Sequence, residues 1–390
     1  MKRIVFTVTN DLNYDQRMQR ICSSLANNGY DVLLVGRKMN NSSVLIKKNF
    51  KQKRLQCLYN NGALFYAEYN VRLFFYLLFI KMHGVCAIDL DTILPCYFVS
   101  LLRRKKRVYD AHELFTEMKE VVTRPPIKKQ WMKIEKFCVP KFKFGYTVSY
   151  SIAEEFNKRY NVTYDVIRNV PVKRELQNSD FKPGDLAHTN AKSGGLAEQK
   201  STNTQNKPGE KIILYQGAIN EARGLENLIE AMKQVNGTLH LYGDGNIYKR
   251  VERLIQQNNL QHKIFLKGKL EPAQLFATTK QAYIGINLVE PLGLNQLYSL
   301  ANKFFDYIQA GVPQLTMNFP EYKKVNNEFE VALLINTIDV NEIANALNIL
   351  LTDDILHKKL KQNCTKASAK FNWQQEEKKL LAFYKQVYTG

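Results

Sequence analysis

The sequence predicts an α/β protein built from two doubly wound domains that face each other across a central cleft. Three observations predict it. Short, almost continuously apolar segments alternate with amphipathic ones, the pattern of parallel strands buried between layers of helices. The alternation stops in a polar stretch at 175–210 and then restarts. The 390 residues also exceed what one hydrophobic core commonly serves. A composition of 45% hydrophobic and 24% charged residues excludes a disordered, collagenous or coiled-coil chain.

Arg3-Ile-Val-Phe-Thr-Val8 reads as a buried strand. Its apolar run breaks at Thr9-Asn-Asp11 with no small-residue cleavage site, so it is not read as a signal peptide. A helix follows, with Met18, Ile21, Cys22 and Leu25 on one face and Gly29 as its stop. Asp31-Val-Leu-Leu-Val-Gly36 is a second strand, and further strands are expected at 85–90, 107–109, 145–148 and 165–167. Leu73–Ile80 is the most apolar run, but it falls far short of the roughly 20 residues that span a bilayer. Gly, Ser, Asn, Thr and Pro dominate 175–210, which is expected to be a flexible linker or insertion. Strands are then expected at 211–215, 238–242, 263–266 and 282–288, with helices after 224, over 247–258 and from Pro272. The expected division is an N-terminal domain over 1–174, a linker over 175–210, a C-terminal domain over 211–372, and a final helix at 373–390 that packs back on the first domain.

Six scattered cysteines form no C-x-x-C pair, and no Cys/His cluster has zinc spacing, so a reduced, cytoplasmic compartment is expected.

Ser299-Leu-Ala-Asn-Lys-Phe-Phe-Asp-Tyr-Ile-Gln-Ala-Gly311 predicts a helix with Ser299 as its N-cap and Leu300, Phe304, Tyr307 and Ile308 as its buried stripe. Asn302, Lys303 and Asp306 then lie on the other side, near the amino end. Free N–H groups beside a lysine make a phosphate site, and a carboxylate one turn on can accept from a ribose diol. The alternative is a solvated Lys–Asp pair on a helix surface. The neighbouring segments favour the site. Glu290-Pro-Leu-Gly293 follows an apolar strand. Tyr215-Gln-Gly217 through Arg223-Gly224 is a strand, a glycine turn and a helix start. Leu241-Tyr-Gly243-Asp-Gly245 is another strand ending in glycine. Strand-end loops of this kind converge at the carboxyl edge of a doubly wound sheet, where such folds bind ligands.

These residues resemble the donor-binding half of the retaining GT-B glycosyltransferases of family 4, also called glycosyltransferase group 1. The resemblance implies two Rossmann-like domains, an acceptor-binding one followed by a nucleotide-sugar-binding one. It implies that Arg223 and Lys303 clamp a diphosphate, with Gly217, Gly243 and Asn302 in the donor site, that Asp306 holds the ribose, and that Glu290 contacts the transferred sugar. It is specific over 211–320 and only topological over 1–170. The chain departs from the family in carrying an insertion, Leu294–Asn302, between the two acids, and the sequence around it resembles a Ser-x-x-Asn-Lys subgroup. The second acid is Asp, one methylene shorter than the family's Glu, and Ala218 stands where many members have Arg. In the first half, Asp110-Ala-His112-Glu113 resembles the family's cleft histidine, which makes His112 the catalytic candidate beside Glu290. Asp15 and Arg17 are candidate acceptor contacts, although Asp15 could equally cap its helix. Asp89-Leu-Asp91 is similar to a metal-binding Asp-x-Asp of another glycosyltransferase fold and is read as coincidence. No metal or other cofactor is expected, because basic groups can neutralise the leaving diphosphate.

The formal net charge is +20, and residues 1–170 hold +15 of it, with 29 Lys and Arg against 14 Asp and Glu. Base concentrates at 103–107 and from Lys128 to Lys143, where Trp131, Met132, Ile134, Phe137 and Val139 interleave with six lysines. That pattern suits a helix lying on anionic lipid, or equally one packed on its own sheet with solvated lysines. No nucleic-acid module is recognisable. The leading expectation is a hexosyltransferase of polysaccharide synthesis, cytoplasmic and peripheral on the inner face of the membrane, which moves sugar from a nucleotide-sugar to a glycan or lipid-linked acceptor. The alternatives are a non-hydrolysing nucleotide-sugar epimerase and a non-catalytic nucleotide-binding scaffold.

Overall fold

A computed structural model describes residues 1–13, 15–40, 42–173 and 209–389. The first sheet is assembled from β1 (Arg3–Thr7), helix α1 (Gln16–Asn27), β2 (Asp31–Lys38), β3 (Lys51–Gln56), α2 (Gly62–Phe79), β4 (Gly84–Ile88), α3 (Ile93–Leu102), β5 (Lys106–Ala111), α4 (Lys119–Val122), α5 (Pro125–Cys138), β6 (Phe144–Thr147), α6 (Tyr150–Tyr160) and β7 (Asp165–Val166). Its order is β3-β2-β1-β4-β5-β6-β7 with every pairing parallel. The N-terminal apolar run is therefore an interior strand. β3 has no counterpart among the expected strands, because Lys51-Gln-Lys-Arg-Leu-Gln56 carries almost no apolar signal. It is an edge strand, and charge on an edge discourages pairing with other chains.

The second sheet comes from β8 (Ile212–Gln216), α7 (Leu225–Ala231), β9 (Thr238–Tyr242), α8 (Tyr248–Gln257), β10 (Ile264–Gly268), α9 (Pro272–Thr279), β11 (Ile284–Asn287), α10 (Leu294–Leu297), α11 (Asn302–Ala310), β12 (Gln314–Met317), α12 (Pro320–Phe329), β13 (Ala332–Ile335), α13 (Val340–Thr352) and α14 (Asp354–Lys370). Its order is β10-β9-β8-β11-β12-β13, again all parallel. β12 and β13 have no counterpart among the expected strands. The expected linker lies outside the described residues, apart from its last two positions.

In the first domain, α2, α3, α5 and α6 cover one face of the sheet. The other face is closed by α1 together with α15 (Trp373–Thr389), whose Trp373, Leu380, Phe383, Tyr384 and Val387 pack against Ile4, Phe6 and Leu34. The last helix of the chain thus completes the core of the first domain. Polar contacts also join the two halves. The Ser151 amide and hydroxyl donate to the buried Glu321 carboxylate at 2.8 and 2.7 Å, and Lys119 Nζ lies 2.8 Å from Glu221. In the Lys128–Lys143 stretch, Trp131 and Ile134 of helix α5 pack against the first domain's core, while Met132 and Phe137 stay exposed.

Candidate active site

Parallel strands present their carboxyl ends to the space between the domains, and the candidate residues sit there. The chain leaves β8 at Gly217, whose amide donates to the Tyr242 carbonyl at 2.9 Å and whose φ is +126°. Gly243, leaving β9 with φ +146°, passes so close that a Cβ there would lie 1.8 Å from the Gly217 carbonyl oxygen. This approach is possible only because Gly243 lacks a Cβ, and at both glycines the positive φ favours a residue without one. Gly243→Ala is therefore expected to destabilise the protein by about 2 kcal/mol or more and to remove any nucleotide-induced rise in Tm. Gly311→Ala, at φ +70° with open space around it, should cost only about 1 kcal/mol. Thermal denaturation of the two variants tests the contrast.

Helix α11 begins at Asn302, not at Ser299. Ala301 is its N-cap and offers no side-chain acceptor, while the Ser299 hydroxyl donates to the Gln296 carbonyl in the preceding turn. The first-turn N–H groups are left without a side-chain cap at the cleft. Lys303 reaches over the Tyr215 ring, its ammonium 3.7 Å from the centroid and 3.4 Å from where a Gly217 Cβ would stand. Burial drives the Lys303 ammonium well below its ordinary pKa, and the neighbouring Arg223 charge lowers it further. Asp306, one turn along, accepts from Gln216 Nε2 at 3.0 Å, and Thr279 Oγ1 fixes the other end of that amide at 2.6 Å. Asn302, Asp306 and Gln216 share a cleft of about 350 Å³ with Gln16 and Arg20 of α1 and with Leu270, Leu275 and Phe276.

Across the cleft, His112 follows β5. Its Nε2 lies 3.1 Å from Asp110 Oδ2, an ion-pair contact off the hydrogen-bond axis, and its Nδ1 is 3.7 Å from Asp89. Its amide donates to Asp89 Oδ1 at 2.8 Å. Burial alone would lower the imidazole pKa, yet Asp110 and Asp89 outweigh it and push the value up to about 9. Asp89 itself is raised to about 7 by burial. The Asp-x-Asp pair thus has local duties, Asp89 at His112 and Asp91 accepting from Thr9 Oγ1 at 2.6 Å. Among the described residues no three His, Cys, Asp or Glu side chains converge as a metal set.

The two acceptor candidates both have partners within the first domain. Asp15 is the N-cap of α1 and accepts from the Met18 amide at 3.0 Å. Arg17 is buried, with Nη2 3.1 Å from Asp110 Oδ1 and Nη1 donating to the Ile167 carbonyl at 3.1 Å. It stands behind His112, one carboxylate removed from the cleft, and cannot meet an acceptor from there. Its partner lies 93 residues along the chain, beyond the reach of local pattern.

Glu290 is half-buried just past β11, its amide donating to the Ala222 carbonyl at 3.1 Å. The insertion after it folds as α10 and docks on the first domain. Asn295 Oδ1 accepts from the Leu114 amide at 2.8 Å, the Tyr298 carbonyl accepts from Ser149 Oγ at 3.0 Å, and Leu294 and Tyr298 pack on the first domain's core. A Cβ on Gly293 would stand 2.7 Å from the Glu117 carbonyl. The insertion is thus a strap between the domains. Asp110, Asp89, Gln216 and Asn295 were not among the expected site residues. Asp110 had a signal in its place beside His112 and Asp89 in its Asp-x-Asp pair, while Gln216 and Asn295 lay unremarked inside the glycine turn and the insertion.

Residues 197–367, in the second half of the chain, match the family model of the glycosyl transferases group 1. An uncharacterized glycosyltransferase of Methanocaldococcus jannaschii is 24% identical over 162 residues, 41% of this chain and 44% of that relative. The chain thus matches less than half the length of this curated relative. Similar solved structures span almost the whole chain. Sucrose-phosphate synthase from Thermosynechococcus elongatus has TM-score 0.75 at 17% identity, covering 100% of both chains. WaaG, a glycosyltransferase involved in lipopolysaccharide biosynthesis, has 0.73 at 14%, covering 99% of this chain and 100% of its own. Anabaena HepE, solved with UDP and glucose, has 0.73 at 12%, with the same coverage. At these identities the likeness concerns the fold, which is GT-B: two Rossmann-like domains facing a central cleft.

Proposed function

We propose that this chain is a glycosyltransferase that moves a hexose from a nucleotide-diphosphate sugar to a glycan or lipid-linked acceptor, with retention, in the manner of the family 4 enzymes and their Ser-x-x-Asn-Lys subgroup. The observation that carries the reading is the meeting of Lys303, Arg223 and the uncapped start of α11 at the Gly217 turn, opposite His112. Cations with unspent electrostatic capacity at a helix start suit a diphosphate, and the charge that develops on the leaving oxygens is where such groups act most strongly. Asp306, held by Gln216, accepts from the ribose hydroxyls. Glu290 contacts the sugar. His112, cationic below about pH 9, stands at the reacting end. The reaction is metal-independent on this reading, because Lys303 and Arg223 supply the neutralising charge. We place the enzyme in the cytoplasm, at the inner face of the membrane and in polysaccharide synthesis. Among the described residues no helix is long and apolar enough to cross a membrane.

A thermal-shift series of UDP-, GDP- and ADP-sugars tests the donor site, with UDP-sugars first because the similar HepE was solved with UDP-glucose. At a hundredfold excess over Kd the correct donor should add about 2.7 kcal/mol of stability. No shift with any of them would overturn the assignment. Conversion of the nucleotide-sugar without an acceptor would indicate an epimerase instead. Full transfer activity is expected in EDTA, and loss of activity restored by Mn²⁺ would refute metal independence.

A further inference from the structure

We infer that the outer face formed by α2 and α3, rather than α5, is the surface that lies on an anionic lipid bilayer. Helix α2 has two apolar faces and only one is covered. Phe65, Tyr69, Leu73 and Leu77 are buried against the sheet, whereas Leu64, Val71, Phe75 and Phe79 stripe the opposite side, 61, 56, 54 and 80% exposed. Those four positions are separated by seven, four and four residues, so they form one continuous helical face. Helix α3 repeats the arrangement over one turn, with Phe98, Leu101 and Leu102 at 42, 52 and 64% exposure. The two helices pack side by side, and Arg103 Nη1 ties their carboxyl ends together by donating to the Leu77 and Ile80 carbonyls at 2.8 and 2.5 Å. Seven large apolar side chains on one face form a patch of the kind that marks an interaction surface.

The charges choose the partner. Between 62 and 107 the acids are Glu68, Asp89 and Asp91. Glu68 is spent on Arg72 and the Leu58 and Tyr59 amides, and the two aspartates turn to His112 and Thr9. Arg72 is paired with Glu68, while Lys81 and Arg104 stand exposed just beyond the carboxyl ends of α2 and α3. Apolar groups sunk at the headgroup boundary with basic groups at phosphate level match an anionic membrane. A second copy of this chain would bring the same positive rim against itself, which like-charge repulsion opposes. Helix α5 contributes only the border, through Phe137, whose ring lies 6.4 Å from that of Phe98 with the Lys141 ammonium 3.8 Å above it. Leu64 stands at the cleft end of α2, so a bilayer along the stripe reaches the cleft mouth. That last point rests on the transferase reading with a lipid-linked acceptor.

Flotation of the full chain with vesicles, run without nucleotide-sugar, tests the surface separately from the chemistry. Binding is expected to phosphatidylglycerol-containing vesicles and not to phosphatidylcholine alone, and it should weaken in high salt. Phe79→Ser with Leu102→Ser should lower the bound fraction roughly tenfold at unchanged Tm, as should Arg104→Glu with Lys105→Glu. In a Phe79→Trp variant the indole emission should shift to the blue on anionic vesicles, which keeps the test open if the double variant fails to fold. Equal binding by the variants, no binding to any vesicle, or a dimer that Phe79→Ser with Leu102→Ser dissolves would each overturn the inference. None of these outcomes alters the expected donor-induced thermal shift.

Discussion

Lys303→Met is expected to weaken nucleoside-diphosphate binding by about ten- to a hundredfold while leaving the unliganded protein as stable as before or more so. The first effect follows from removing a charge-assisted contact worth about 1.5–3 kcal/mol. The second follows from what the lysine does without a ligand. Its ammonium is held over Tyr215 beside Arg223, with its pKa driven down by burial. An isosteric thioether removes that desolvated charge, and a gain of about 1 kcal/mol is in the ordinary range for relieving such a site. The pH dependence separates this account from a merely structural one. An unfolded lysine titrates near 10.4, and the folded one well below. Between those values the unfolded chain holds the extra proton, so the lysine makes stability rise with pH across that window, and Lys303→Met should lack this slope. A diphosphate restores the proton, so binding should take up protons and weaken as pH rises through the unliganded value. Calorimetry in buffers of different ionisation enthalpy measures that uptake. Equal affinity of the variant for UDP would remove Lys303 from the donor site.

That the candidate residues of the second domain share one strand-end edge is legible in the sequence because the signals are local. Gly217 and Gly243 each follow an apolar strand, and Lys303 and Asp306 sit at one end of a striped helix. The start of α11 was misjudged because Ser299 has the chemistry of an N-cap, but its hydroxyl is taken by the turn that the inserted segment makes. What the sequence hid depends on long-range pairing. Arg17 has the look of a loop cation facing ligand, yet it meets Asp110 across the sheet. Asp89 looked incidental because its partner is an amide on the next strand's loop. The strap at 294–302 registered only as an irregular spacing, since its partners, Leu114 and Ser149, belong to the other domain. The greasy run at 73–80 is too short to span a bilayer, and only the fold shows that it supplies one side to the core and leaves another exposed.

Asp110→Asn should be the most damaging single change in the first domain, with two separable consequences. Asp110 is fully buried and shared, one oxygen on Arg17 and the other on His112. Neutralising it strands the Arg17 guanidinium, and breaking a buried pair from one side costs about 3–5 kcal/mol. It also takes from His112 the larger of the two charges that hold its pKa near 9. An elevated histidine stabilises the fold below its unfolded pKa of about 6.5, and that contribution is lost as pH rises through about 9. This slope opposes the one from Lys303, so the wild type partly masks both and each variant uncovers the other. If transfer requires cationic His112, activity should fall through about pH 9 in the wild type and a unit or more lower in Asp110→Asn, an effect that stability loss alone does not produce. Adding Arg17→Met should recover part of the stability, because the stranded cation is gone, and should move the activity limb part of the way back up, because the Arg17 charge by itself lowers the His112 pKa. A limb restored all the way to about pH 9 without Asp110 would mean that Asp110 does not set the protonation of His112.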